Sequence, residues 1–170
     1  MEIKSLNDVL EEQIGDLYSA EKQLVEALPK VARAAHSDEL RTALETHLEE
    51  TRGHLERLEQ IIGDLGMPMP TEECKAMKGL LAEGEQIVGA TGDPVAKDAA
   101  LIAAAQRVEH YEISGYGTTR TLARELGHDD VASLLDKTLD EESHADTLLT
   151  KIATGGMFRG GVNTEAASRS

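Results

Sequence analysis

Apolar residues recur every three or four positions along nearly the whole chain, and this spacing restricts the fold more than any other feature. Residues spaced in this way share one face of an α-helix, whereas the alternate-residue pattern of a β-strand is missing. The pattern predicts four long helices, each with one apolar stripe that must be buried. A chain of 170 residues is long enough to bury these stripes in one core.

Capping and turn signals divide this pattern into separate helices. Ser5 and Ser37 have the character of helix N-caps, and Gly66 and Gly127 are typical helix stops. We expect Pro29 to kink the first helix without ending it, because the apolar stripe continues beyond it. The chain is therefore expected to turn back on itself between helices of similar length.

The connections between the long helices set the expected topology. The first two helices and the last two are joined by short turns, whereas residues 66–93 separate the two pairs and contain an amphipathic segment over about 71–90. We therefore predict an all-α four-helix bundle over residues 1–155, with one long crossover that carries a short extra helix. The glycine- and serine-rich residues 156–170 are expected to form a flexible tail.

Each long helix interrupts its apolar stripe near the middle with an acid. Glu21 lies between Leu17 and Leu24 on the first stripe, and Glu109 and Glu112 lie on the third. The corresponding residues of the second and fourth helices are His47, Glu50, His54, Glu141, Glu142 and His144. Adjacent residues cannot both point straight inward, so helix rotation must decide between the acids at positions 141 and 142.

Burying these acids together is costly unless a cation accompanies them. One unpaired buried carboxylate costs several kcal/mol, and a whole domain is stable by only about 5–15 kcal/mol. The only basic residues near the acids, Arg107 and Arg120, lie at the edges of the stripes. Slightly rotated helices could leave any one acid on a solvated edge, but not all of them. Mixed carboxylate and imidazole ligands suit iron or manganese, so we predict two such metal ions, with iron preferred.

This arrangement matches a ferritin-like di-metal bundle, in which two helices each supply one Glu and two supply Glu-x-x-His. Glu141 and His144 have the spacing of that motif. Glu50 would need a histidine at position 53, where Gly53 stands, but His54 still shares its helix face. Four further residues are expected to hydrogen-bond to the ligands from outside, namely His47, Tyr18, Tyr116 and Asp146.

Four segments resemble the YciE/YciF family of bacterial stress proteins. They are DLYSAEKQL (16–24), HLEETRGHLERLEQ (47–60), DAALIAAAQRVEHYEISGYGT (98–118) and LDEE (139–142). The resemblance covers about residues 5–153, and it is most specific in the third-helix segment. It implies a ferritin-like bundle, usually a homodimer, with a di-metal site inside and a role in stress response.

The resemblance also implies a set of ligands. The carboxylates of the family would correspond to Glu21, Glu50, Glu109, Glu112 and Glu141 or Glu142. The family commonly lacks a histidine at the position of His144, where Glu142 or Asp146 would take its place.

Charge and composition exclude other classes of partner. A formal net charge of −15 repels nucleic acid and anionic membranes. No apolar stretch is long enough to cross a bilayer and no signal sequence is evident, so we expect a soluble, cytoplasmic protein. The single cysteine, Cys74, excludes an intrachain disulfide.

The expected chemistry follows from the metal pair, and it leaves open whether the protein is an enzyme. Two metal ions bridged by carboxylates can pass two electrons, so oxidation of Fe(II) by peroxide or dioxygen is the natural reaction. The alternative is a non-enzymatic stress protein whose metal site braces the bundle or is vestigial, and which acts by binding other proteins. Iron storage would require a closed shell of many subunits.

Overall fold

The computed structural model describes residues 3–156 and 159–169. Four long helices form a bundle, and a shorter helix lies in the crossover between the second and third of them. In chain order the helices are α1 (Leu6–Ala34), α2 (Asp38–Asp64), α3 (Lys75–Val88), α4 (Pro94–Glu125), α5 (Asp129–Thr154) and α6 (Val162–Ser168). The predicted all-α, ferritin-like bundle with one long crossover is confirmed.

Side-chain caps define the starts of three of the four long helices. The Ser5 hydroxyl accepts a hydrogen bond from the Asp8 backbone N–H, and the Asp8 carboxylate accepts one from the Ser5 N–H, so α1 begins with a capping box. Ser37 caps α2, and Asp93 caps α4. Pro29 lies inside α1, which continues to Ala34 as expected.

On α1, α2 and α5 a series of buried positions is separated alternately by four and three residues. This average spacing of 3.5 residues gives the small left-handed crossing angle of four-helix bundles, about 20°. On α1 these positions are Leu10, Ile14, Leu17, Glu21, Leu24 and Leu28, and on α2 they are Leu40, Leu44, His47, Thr51, His54, Leu58 and Ile61. On α5 they are Val131, Leu135, Thr138, Glu142, Ala145, Leu149 and Ile152.

The apolar core consists of two separate clusters, one towards each end of the bundle. On α1, Leu10 and Leu17 belong to one cluster, whereas Leu24 and Leu28 belong to the other. Glu21 lies between them, fully buried. The middle of the bundle is therefore filled by polar side chains, and this layer contains the candidate site.

The C-terminal segment contains a small hairpin and a short helix. Strand β1 (Gly155–Gly156) pairs antiparallel with β2 (Arg159–Gly160), and α6 contacts α4 and α5 with Val162 buried. Residues 157, 158 and 170 lie outside the described residues, and the flexibility expected for the tail stays a prediction. Among the described helices, none combines the length and hydropathy that a bilayer-crossing segment requires.

Candidate metal centre

Six ionisable side chains from all four long helices meet between the two apolar clusters. Helix α2 supplies two histidines, α4 supplies two glutamates, and α1 and α5 supply one glutamate each. We call this set the polar layer; it consists of Glu21, His47, His54, Glu109, Glu112 and Glu142. Every member is buried, and the most exposed of them, His47, is only 5% exposed.

The polar layer divides into two groups of potential ligands that share one residue. In each group, one ligand atom per residue lies within 4.8 Å of all the others. His47, Glu109, Glu112 and Glu142 form the first group, and Glu21, His54 and Glu142 form the second. Because Glu142 belongs to both, the geometry suits two neighbouring cations bridged by one carboxylate.

The closest approaches in the layer surround the two imidazole rings. His54 Nδ1 lies 2.8 Å from Glu142 Oε1 and 3.3 Å from Glu21 Oε1. His47 Nε2 lies 3.5 Å from Glu109 Oε1 and 3.8 Å from Glu142 Oε2. The oxygen atoms of Glu142 thus face a different histidine on each side.

Unsatisfied polar atoms show that these residues fit a cation. Among the described residues, every buried side-chain nitrogen or oxygen without a hydrogen-bond partner belongs to the polar layer, apart from Nε of Arg120. Both oxygens of Glu112, both oxygens of Glu142 and both nitrogens of His47 are among them. Such an atom costs roughly 1–3 kcal/mol when no opposite charge lies beside it, as for the oxygens of Glu112, which form no ion pair in the described structure. Four carboxylates and two imidazoles are also the total donor set of ferritin-like di-metal sites.

The carboxylates control the protonation of the two histidines. Burial lowers the pKa of His47, but Glu109, Glu50 and Glu142 outweigh it and raise that pKa to about 9. Burial also lowers the pKa of His54, but Glu142 and Glu21 outweigh it and raise that pKa to about 10. Without a metal, both imidazoles therefore carry protons at neutral pH and serve as internal counter-ions.

Burial is the largest influence on the pKa values of most acids in the polar layer. It raises the pKa of Glu109 and Glu112 well above the ordinary value and also raises that of Glu21. Burial acts in the same direction on Glu142, but the adjacent His54 and His47 lower its pKa overall. The layer therefore holds protons that a bound cation would displace.

Two polar contacts orient the ligands of the second group. The Tyr116 hydroxyl donates a hydrogen bond of 2.5 Å to Glu21 Oε1. Nε2 of His54 lies 3.0 Å from Glu141 Oε2, which also accepts a hydrogen bond from Arg57 Nη2. The ring of His54 is thereby held with Nδ1 directed at the two buried carboxylates.

The structure brings together five residues predicted as ligands, namely Glu21, His54, Glu109, Glu112 and Glu142. His47, expected to act from outside, lies among them. Three other candidates lie outside both groups: Glu50 is half-buried beside His47, Glu141 pairs with Arg57, and His144 is exposed. Glu50 and Glu141 each precede an inward position by one residue, which rotates them by about 100° around the helix axis. Metal ligation by any of these residues stays a prediction.

Of the three other residues expected to hydrogen-bond to the ligands from outside, one contacts the polar layer and two do not. Tyr116 contacts the layer directly, as described above. The Tyr18 hydroxyl donates to Glu59 Oε1 at 3.4 Å, and Asp146 accepts a hydrogen bond from Gln106 at 3.0 Å. Neither Tyr18 nor Asp146 forms a hydrogen bond to the polar layer in the described structure.

Comparison with known proteins identifies the family. The family model named Domain of unknown function (DUF892) matches residues 5–167. The chain belongs to the DUF892 family. Protein YciF of Escherichia coli (strain K12) is 46% identical over 154 residues, which cover 90% of this chain and 93% of YciF. The resemblance to the YciE/YciF family is thus confirmed.

Solved structures agree with this assignment. The crystal structure of the E. coli stress protein YciF matches with a TM-score of 0.85 and 45% identity, and covers 88% of this chain and 94% of YciF. YcfI from Rhodopseudomonas palustris matches with a TM-score of 0.86 and 41% identity, over 89% of this chain and 97% of YcfI. A dodecameric thioferritin from Bacteroides fragilis, a bacterioferritin-related protein, is 16% identical with a TM-score of 0.67, over 97% of this chain and 89% of its own. That last match supports the ferritin-like fold alone.

Proposed function

We propose that this chain is a di-metal carboxylate protein that binds two metal ions in the polar layer, iron in preference to manganese. The observation that carries the proposal is the pair of ligand groups that share Glu142, most of whose buried polar atoms lack a hydrogen-bond partner. In the metal-free chain the two imidazoles offset part of this cost, but both oxygens of Glu112 and one oxygen each of Glu21 and Glu109 still lack a hydrogen-bond partner, and a bound cation would compensate them.

The residues of the layer would divide the work between two metal positions. Glu142 would bridge them, with Glu21 and His54 completing one position and His47, Glu109 and Glu112 completing the other. Such a metal pair, when bound, supplies two-electron exchange with dioxygen or peroxide. The two apolar clusters lie on either side of the layer along the bundle, and the Tyr116 hydroxyl holds Glu21 in place.

We further propose that the protein oxidises Fe(II) with peroxide or dioxygen as the oxidant, and that it does so during stress. The stress role is suggested by the similarity to YciF of E. coli, which is a stress protein and is 46% identical to this chain. A homodimer in the cytoplasm is the form we propose for the working protein.

Anaerobic titration of the metal-free protein with Fe(II), followed by addition of hydrogen peroxide or dioxygen, tests the proposal. We expect two tight sites per chain and oxidation faster than that of free Fe(II). Fewer than one tight site per chain would rule out the metal site. Two sites with no faster oxidation would leave a metal that braces the bundle, and the enzymatic proposal would be abandoned.

A further inference from the structure

A small cavity between α2 and α5 connects the polar layer with the outside of the bundle. It has a volume of about 70 Å³, and His47 and Glu109 form its base. Glu50 and His144 also line it; the side chain of Glu50 is 33% exposed, and His144 is exposed. Most of the other lining residues are alanines and leucines. Buried and solvent-exposed potential ligands therefore line the same small cavity, whose other walls are mainly apolar.

The polar atoms of this cavity form a continuous series from solvent to the shared carboxylate. Glu50 Oε2 lies 3.5 Å from His47 Nδ1, and His47 Nε2 lies 3.5 Å from Glu109 Oε1 and 3.8 Å from Glu142 Oε2. Both nitrogens of His47 are buried and lack a hydrogen-bond partner. Potential ligand atoms therefore follow one another at 3.5–3.8 Å from Glu50, through the two edges of the His47 ring, to Glu109 and Glu142.

A second path from solvent to the polar layer, past Glu141, carries a positive charge that opposes the entry of a cation. Glu141 is partly exposed and lies 3.0 Å from His54 Nε2, but the same carboxylate oxygen accepts a hydrogen bond from Arg57. The guanidinium of Arg57 would repel a metal ion on this path. By contrast, none of the described residues that line the α2–α5 cavity is a lysine or an arginine, and its one buried base, His47, can release its proton as the ion binds, which Arg57 cannot do.

A larger cavity, of about 410 Å³, also reaches Glu109 from between α1, α3 and α4. Leucine, valine and alanine side chains form most of its walls, and Lys30 and Lys78 also line it. Glu26, Glu73 and Glu85 also line it, but all three are exposed, and Lys78 and Lys30 pair with the last two. A cation that moved from these acids to Glu109 would lose water against mainly apolar walls, which is unfavourable. Of these three routes to the polar layer, the α2–α5 cavity suits a cation best.

We propose that Glu50 and His144 form a capture site for divalent metal ions at the mouth of the α2–α5 cavity, through which these ions reach the polar layer. His47 receives the ion from Glu50 and passes it to Glu109 and Glu142. This inference rests on the proposed function, because it assumes that the layer binds metal. It assigns Glu50 and His144 to uptake, outside the final coordination of the metal pair.

Stopped-flow measurement of Co(II) binding to the metal-free full chain tests this route, with the visible absorbance of bound Co(II) as the readout. Glu50→Gln keeps the shape of the side chain and removes its charge. We expect it to lower the association rate constant about tenfold at low ionic strength and to weaken the dependence of that rate on salt. We expect the double variant Glu50→Gln/His144→Ala to bind Co(II) more slowly still, and both variants to bind as many ions per chain as the parent.

Glu45→Gln is the matched control, because Glu45 is an exposed acid on α2 that does not line the cavity. It should bind Co(II) at nearly the parental rate. Equal rates for the Glu50 and Glu45 variants would overturn the capture site. A lower number of bound ions in Glu50→Gln would also overturn it, since Glu50 would then be a permanent ligand. If the parent itself bound no Co(II), the proposed function would fail, and the capture site with it.

Discussion

Glu142 is the residue on which both candidate metal positions depend. Its oxygens face His54 on one side and His47 on the other, and it is the single acid that α5 places in the polar layer. The adjacent Glu141 instead accepts a hydrogen bond from Arg57 and lies 3.0 Å from Nε2 of His54, the ring nitrogen that faces away from the layer. Two adjacent glutamates therefore have different environments, and equivalent substitutions at the two positions can separate their roles.

We expect Glu142→Gln to reduce the number of tightly bound Fe(II) or Co(II) ions from two per chain to one or none, because the shared ligand loses its charge. Glu141→Gln is the matched control. It should still bind two ions, with affinity lowered roughly tenfold, since only the support of His54 is affected. Isothermal titration of both metal-free variants measures the stoichiometry. The opposite result would assign the bridging role to Glu141.

Helices α1 and α4 lie close together at the polar layer, and this brings Glu21 within hydrogen-bond distance of Tyr116. Gly115 makes this approach possible: a Cβ at this position would lie 2.8 Å from Cδ2 of Leu17, which is buried. One residue further along α4, Tyr116 donates its hydrogen bond to Glu21. A side chain at position 115 would push the two helices apart at the level of the polar layer.

Gly115→Val should therefore lower the free energy of unfolding by about 1–3 kcal/mol through overpacking. Gly117→Val is the control, because a Cβ there would meet only Leu139 Cδ2 at 4.0 Å. Its effect should stay within about 0.5 kcal/mol. Urea denaturation of the metal-free proteins measures both changes. Equal losses for the two variants would show that the α1–α4 spacing does not depend on Gly115.

For the whole molecule, the polar layer couples stability to pH. The pKa values of His47 and His54 rise on folding from about 6.5 to about 9 and about 10. A raised histidine pKa stabilises the folded state fully below the unfolded value, and this contribution is lost as the pH passes the folded value. The raised pKa values of Glu109 and Glu112 act in the same direction, because ionising these buried acids favours unfolding.

We therefore expect the metal-free protein to lose stability as the pH rises from about 6.5 to about 10. Metal affinity should change in the opposite sense over the same range, because the imidazoles and carboxyls must release protons to bind the ion. Urea denaturation and metal titration across this range measure the two trends. The double variant His47→Gln/His54→Gln should show a flatter pH dependence of stability, and an unchanged slope would contradict this explanation.

Much of the fold follows from the sequence. Helical periodicity, the Ser5 and Ser37 caps and the long connection between helix pairs predict the bundle and its crossover, because these are local signals that each segment carries by itself. The buried acids on α1 and α4 are also evident, because Glu21 and Glu109 lie squarely between apolar residues of their own helices.

The ligands of α2 and α5 depended on tertiary structure. Both helices carry two apolar stripes one residue apart, and the stripe through Leu134 and Leu148 favours Glu141. The stripe that is buried has an unbroken spacing of four and three residues, passes through Leu135 and Leu149, and includes Glu142. This strict spacing is the signal that would also have placed His47 inside.

The sequence by itself therefore determined that four helices bury acids and histidines together at the middle of a bundle. Which of two adjacent side chains points inward is set by the rotation of each helix about its axis. That rotation results from packing against the other three helices, and a change of one residue amounts to about 100°. Tertiary structure thus decided that Glu142 and His47 lie in the polar layer, while Glu50 and His144 line the small cavity beside it.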